Sequence, residues 1–320
     1  MATRSDHIAW LFPGQGTQAV GMGRELIEAS SAAREMVTRA DKALGESLTS
    51  LILEGPEEAL TLTANAQPAI VAVSAAVHAA IKERIPSLPL PRFSAGHSLG
   101  EYSALVAAGA LIFEDAVRIV RARGRAMQEA VAEGTGAMAA VMGLSSDDVR
   151  AACEAASQGE VVSPANFNAP GQIVIAGAKA AVERASGEVG KRGGKSIPLK
   201  VSAPFHCALM APAAKTVDAE LSKVSIGAFA FPVIANFDAE ANEQPNRVRE
   251  LLVRQVDGAV RWEETVQRMH SAGITHAIEI GPGKVLAGLV KRIAKEIKVH
   301  SVSDLKSLDA LPAFLAEASS

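Results

Sequence analysis

Two cysteines in 320 residues, Cys153 and Cys207, are too few for a disulfide framework or a cysteine-based zinc site. Aromatic side chains make up only 4%, so the core has to be built from Ala, Val, Leu and Ile. The charge is nearly balanced: a net −3 supplies no general field for a polyanion and excludes a nucleic-acid binder driven by overall charge. Met1–Trp10 carries Arg4 and Asp6 and lacks an apolar run of signal-peptide length. No uninterrupted apolar stretch reaches the length of a membrane span, and Ala69–Ile81 is interrupted by Ser74 and His78. Phosphate-loop, nicotinamide and flavin fingerprints are missing too: Gly14-Gln15-Gly16 has no third glycine, and Gly281-Pro282-Gly283-Lys284 reads as a structural turn. No metal site is evident. These absences predict a soluble, cytoplasmic protein of a reducing compartment with neither membrane nor nucleic acid as partner.

What is present is ordinary globular composition, 48% hydrophobic and 21% charged, which argues against disorder. The length suits two lobes or one elaborated domain. Short apolar strands alternate with helices. His7–Phe12 stops at Pro13-Gly14, a helix covers Arg24–Leu44, and an alanine-rich helix covers Ala69–Ile85 until the prolines at 86, 89 and 91. Arg92–His97 reads as strand, followed by helices over Leu99–Gly109 and Phe113–Val131, and strands return near Pro232–Asn236 and Thr275–Ile280. That alternation predicts an α/β protein with a mainly parallel sheet. Between them the rhythm changes to strand Ala137–Gly143, helix Ser146–Ala156, strands Val161–Phe167 and Gln172–Gly177, helix Lys179–Arg192 and strand Lys195–Val201. This β-α-β-β-α-β order is ferredoxin-like. The expected division is 1–133 and 203–320 for the large unit, with 134–202 inserted as the small one.

Gly96-His97-Ser98-Leu99-Gly100 lies between a strand and a helix, the setting of a nucleophile elbow. Small flanking residues permit the turn, and the helix that follows aims backbone N–H groups at the serine, where an oxyanion would form. Gly14-Gln15-Gly16 follows the first strand, where such a sheet places a second oxyanion donor. Among seven histidines, His206 stands just beyond a strand end and after the serine in chain order, which suits a base. His97 adjoins Ser98 but points elsewhere. Cys207 reads as packing. Arg123 shares a helix stripe with Ala116, Val120, Met127 and Ala130, so it belongs to a buried face. A buried arginine needs an anion for its planar fork, either a protein carboxylate or a substrate. Arg118, Arg121 and Arg125 point to other faces and read as surface charges.

Taken together, FPGQGTQAVGMG (12–23), GHSLGEYSALVAAGAL (96–111), VRARGRAMQEAV (120–131), SPANFNAPGQIVIAG (163–177), APFHCALM (203–210) and EIGPGKVLAGLVKRI (279–293) resemble the malonyl-CoA:acyl carrier protein transacylases and the related polyketide acyltransferases, over nearly the whole chain. The resemblance implies a hydrolase-like α/β core with an inserted ferredoxin-like subdomain. It also implies Ser98 as nucleophile, His206 as base, Arg123 as ligand of the malonyl carboxylate, and the Gln15 and Leu99 N–H groups as oxyanion hole. Gln255 would orient the histidine, Asn166 and Asn168 would stand near the pocket, and Phe205 would favour malonyl over methylmalonyl groups.

The substrates implied are malonyl-CoA and holo acyl carrier protein, with coenzyme A entering as part of a substrate and no cofactor required. Carrier proteins are acidic, so Lys191, Arg192, Lys195, Lys291, Arg292 and Lys295 are candidate docking residues. The lack of a long exposed apolar stripe favours a monomer. Other readings stay open: an acyltransferase for another extender, a serine hydrolase or thioesterase, and a module that only docks carrier proteins.

Overall fold

The protein is described by a computed structural model covering residues 4–318. In chain order its strands are β1 (Ile8–Phe12), β2 (Phe93–Gly96), β3 (Gly136–Met142), β4 (Val162–Ala169), β5 (Gln172–Ala178), β6 (Lys195–Pro198), β7 (Val233–Ile234), β8 (Ala241–Asn242), β9 (His276–Ile280) and β10 (Lys298–Val302). The large sheet runs β10-β9-β1-β2-β7-β8, and only β8 is antiparallel to its neighbour. Helices cover both faces, so the central strand β1 is apolar and buried throughout. In β1 the pleat sends Ile8, Trp10 and Phe12 into one core and Ala9 and Leu11 into the other. The first core also holds the helices Thr63–Arg84 and Phe113–Glu129; the second holds Trp262–Ser271 and Val285–Ile293.

The small sheet, β4-β5-β3-β6, is antiparallel and carries the helices Ser146–Ser157 and Lys179–Lys191 in the expected β-α-β-β-α-β order. Its strand β4 is irregular at Pro164/Asn166 and again at Phe167/Ala169. There it bonds to the segment just before the helix Trp262–Ser271: Phe167 N–H donates to the Val260 carbonyl and Val260 N–H to that of Ala165, both at 2.9 Å. The fold is thus the α/β core with an inserted ferredoxin-like sheet that the sequence implied.

Three expectations change and one is sharpened. The helix over Arg24–Leu44 is two, Arg24–Ala29 and Ser31–Leu44, because Ser30 leaves the helical region and its hydroxyl accepts from Ala33 N–H to cap the second. The alanine-rich helix begins earlier, at Thr63, and takes in Pro68. The expected lack of an uninterrupted apolar stretch stands, yet interruption alone does not decide whether a helix is apolar enough to cross a membrane. By length and composition Thr63–Arg84 could, since isolated polar residues do not lower its average enough; yet 78% of that window is buried inside the protein. Finally, Arg121 is buried rather than a surface charge: Glu46, Asn65 and the Ala64 carbonyl fold over it as acceptors. The edge strands β8 and β10 were not expected from the sequence.

Candidate active site

Ser98 stands at the C-terminal end of β2, where open parallel sheets place their chemistry. The chain reverses there so tightly that a Cβ on Gly96 would lie 1.9 Å from the Gly100 carbonyl carbon, and one on Gly100 would lie 2.3 Å from the Phe12 carbonyl oxygen. Only glycine fits either place. Ser98 itself adopts φ 52°, a left-handed conformation costly for a non-glycine residue. His206 shares that unusual state, at φ 60°.

The two side chains meet: Ser98 Oγ lies 2.8 Å from His206 Nε2. On the far side of the ring, Nδ1 lies 2.8 Å from the Gln255 main-chain oxygen, an acceptor only, so Nδ1 carries the hydrogen and Nε2 is free to accept from the serine. Burial, and then the Arg123 charge, push the imidazole down to about 3, against the opposing pull of the Gln255 carbonyl. It is therefore neutral at physiological pH, as a base must be.

Arg123 is 1% exposed. Its Nη1 donates to Gln67 Oε1 at 2.7 Å; its Nη2 donates to Gln255 Oε1 at 2.9 Å and to Ser98 Oγ at 3.0 Å. None of these acceptors is a carboxylate. The Tyr102 ring lies beneath the guanidinium, 5.9 Å from its centre. Burial lowers the guanidinium from its ordinary value, with Tyr102 and Glu101 pulling the other way. A buried cation with no carboxylate among these hydrogen-bond acceptors, beside a nucleophile and at the wall of a cavity of about 360 Å³, is able to receive an anionic acyl group.

Gln15, Asn166, Phe205 and Lys200 line that cavity together with Ser98, His206, Arg123 and Gln67. Among the described residues the backbone N–H groups of Gln15 and Leu99 have no protein acceptor, while the Ser98 N–H is taken by Asn236 Oδ1 at 2.6 Å. Asn168 sits apart in a side recess, its Oδ1 2.8 Å from His97 Nε2. This is where His97 points, away from Ser98. The six basic candidates all lie at the surface, outside the cavity; Lys191 pairs with Glu188, and Arg292 bonds Gln172.

Three polar residues of the site were not singled out from the sequence: Gln67, Asn236 and Glu101. All are buried within apolar surroundings, 2%, 0% and 2% exposed, and polar residues in such runs were the available signal. Glu101 Oε2 accepts from the Asn236 N–H and from Gln255 Nε2, each at 2.9 Å. Burial pushes its carboxyl up to about 7; those two donors and Arg123 oppose the rise, and Asp238 adds to it.

The acyl transferase domain family matches residues 9–316. A malonyl CoA-acyl carrier protein transacylase of Haemophilus influenzae is 48% identical over 308 residues, 96% of this chain and 98% of the relative. One from Bacillus subtilis is 48% identical over 305 residues, 94% of this chain and 95% of its own. Among solved structures, an acyl carrier protein S-malonyltransferase from Vibrio cholerae superposes with TM-score 0.92 at 46% identity, covering 95% of this chain and 99% of its own. A malonyl-transacylase solved in complex with its type II polyketide acyl-carrier protein gives TM-score 0.92 at 44% identity, covering 95% and 98%.

Proposed function

The chain belongs to the acyl transferase domain family, and from that premise we propose that it transfers a malonyl group from malonyl-CoA to the phosphopantetheine thiol of holo acyl carrier protein, for fatty acid synthesis. The observation that carries this reading is the Arg123 guanidinium, buried, bound to amides and a hydroxyl, and 3.0 Å from Ser98 Oγ. A malonyl thioester placed with its carboxylate on Arg123 brings its carbonyl carbon to the serine.

In the first half-reaction His206 Nε2 takes the Ser98 proton as Oγ attacks the thioester carbonyl. The oxyanion forms between the Gln15 and Leu99 N–H groups. The carbon–sulfur bond breaks, the proton goes to the departing coenzyme A thiolate, and a malonyl ester remains on Ser98. The carrier thiol then gives its proton to His206 and attacks the ester; Oγ leaves and is reprotonated. Gln255 keeps the base in the productive tautomer. Asn166 and Phe205 shape the acyl pocket, Phe205 against bulkier extenders, and Asn168 acts at one remove through His97.

In the same reading the protein works as a cytoplasmic monomer without cofactor, and 134–202 forms a unit inserted between 1–133 and 203–320. The acidic carrier protein docks on Lys191, Arg192, Lys195, Lys291, Arg292 and Lys295. A serine hydrolase is less well supported, because the acid expected behind its histidine is replaced by a main-chain carbonyl.

Intact mass after brief incubation with malonyl-CoA tests the proposal. Wild type should gain a malonyl adduct that Ser98→Ala lacks, and holo carrier protein should remove it to its own thiol. Loss of the adduct mainly to water would make the protein a hydrolase; no adduct with any acyl-CoA would leave only a docking role.

A further inference from the structure

Two buried carboxylates lie outside the steps just described. Glu279 accepts from the N–H groups of Leu286 and Ala287 and from Ser301 Oγ, and so holds the start of the helix Val285–Ile293. Glu101 bonds no helix start. Its Oε2 holds the Asn236 backbone and the Gln255 side chain, and each of these touches the reacting groups.

The Gln255 amide has two ends of similar size, so its orientation is set by its partners. Nε2 has two hydrogens. One goes to the Ser98 carbonyl and one to Glu101 Oε2, both at 2.9 Å. With both spent, Oε1 must face Arg123 Nη2. Turned the other way, the amide would set its oxygen against two acceptors and its NH2 against the Arg123 donors. Gln67 Oε1 fixes the second nitrogen, and the guanidinium is then held with Nη2 towards Ser98 Oγ. The Asn236 arm runs in parallel: with its N–H on Glu101, Asn236 accepts from Ser98 N–H and donates from Nδ2 to the Gly96 carbonyl.

We infer that Glu101 is a positioning residue that fixes the orientation of the Gln255 amide and thereby aims Arg123 at the carboxylate of the acyl group; this rests on the transferase reading above. What the arrangement requires of Glu101 is an acceptor oxygen at that reach. A charge is secondary, since a carboxyl shifted towards neutral pH still accepts at Oε2 in either protonation state.

Two substitutions separate reach from charge. Glu101→Asp keeps the charge and withdraws the oxygen; Glu101→Gln keeps an oxygen in place and removes the charge. The rate of acyl-enzyme formation is measured with malonyl-CoA and acetyl-CoA, scaled to the amount of Ser98 that can be acylated. Glu101→Asp should lower kcat/KM for malonyl-CoA roughly tenfold and for acetyl-CoA less than about threefold, and Glu101→Gln should recover most of that loss.

Should Glu101→Asp not fold, Gln255→Glu, which cannot donate to an ionised Glu101, should show the same fall in the malonyl-to-acetyl ratio. An unchanged ratio in Glu101→Asp or Gln255→Glu, or a parallel loss of both substrates in Glu101→Gln, overturns the inference. Absence of any malonyl-enzyme in the wild type would instead sink the transferase reading.

Discussion

Arg121 and Arg123 stand two residues apart on the helix Phe113–Glu129, and both are buried. Arg121 meets a carboxylate, Glu46, together with Asn65 Oδ1 and the Ala64 carbonyl at 2.7 Å. That carbonyl is available because Pro68, four residues further on, has no N–H to return to it. Arg123 meets only neutral acceptors on the opposite side, where the elbow and the cavity lie. The face closed by a protein carboxylate is structural. On the other face no carboxylate bonds the guanidinium, and in the transferase reading proposed above that place is taken by the acyl group. Burial alone would have put the two arginines in one class, and their partners separate them.

The sharpest test removes the surplus charge. Arg123→Ala should lower kcat/KM for malonyl-CoA about a hundredfold or more while sparing or improving acetyl transfer. Arg123→Lys keeps the charge but not the fork, and should fall between the two by steady-state kinetics with both substrates. Equal losses for both acyl groups would count against a carboxylate clamp. Arg121→Met should behave oppositely, leaving the malonyl-to-acetyl ratio alone and costing about 1–2 kcal/mol of stability in thermal or urea unfolding.

A smaller effect concerns His206. Its pKa is depressed partly by Arg123, so Arg123→Gln should raise it, and the acidic limb of the acetyl-transfer pH profile should move to higher pH. Stability follows the same sign. The unfolded chain binds a proton at an ordinary value of 6.5 that the folded chain refuses down to about 3, so stability is lost as the pH is lowered through that window, and over a narrower window in the variant. A profile that does not move would separate the two side chains electrostatically. The least effect is expected at the hydroxyl Arg123 reaches. Ser98→Gly and Ser98→Ala both lose it, but only glycine relaxes a positive φ, so the glycine variant should be more stable by roughly 1 kcal/mol in unfolding experiments.

Ser98, His206 and Arg123 were legible because each belongs to a short-range pattern: a glycine-bracketed turn, a residue past a strand end, a helix stripe. The small sheet was legible for the same reason, its strands and helices being separated by clear turns. What was not legible depends on partners distant in the chain. Glu101 is 135 residues from Asn236 and 154 from Gln255, and nothing in GEYSALV announces either bond. Arg121 looked like a surface charge because its acceptors come from two other segments, one of them freed by a proline. Ser30 breaks a helix whose apolar spacing continues across it, and β10, with only Val302 buried among five residues, lacks the apolar run that marked β1.

The helix Thr63–Arg84 carries a consequence for the protein's birth rather than its chemistry. As it leaves the ribosome, before the flanking helices have closed over it, this segment has the length and mean hydropathy of a bilayer span. Ser74 and His78 are too isolated to mark it otherwise. Gln67 marks it most clearly, since an amide in lipid would lack the partner that Arg123 provides in the folded protein. The amide that bonds Arg123 in the folded protein is thus also a polar mark that sets this segment apart from a lipid-facing one.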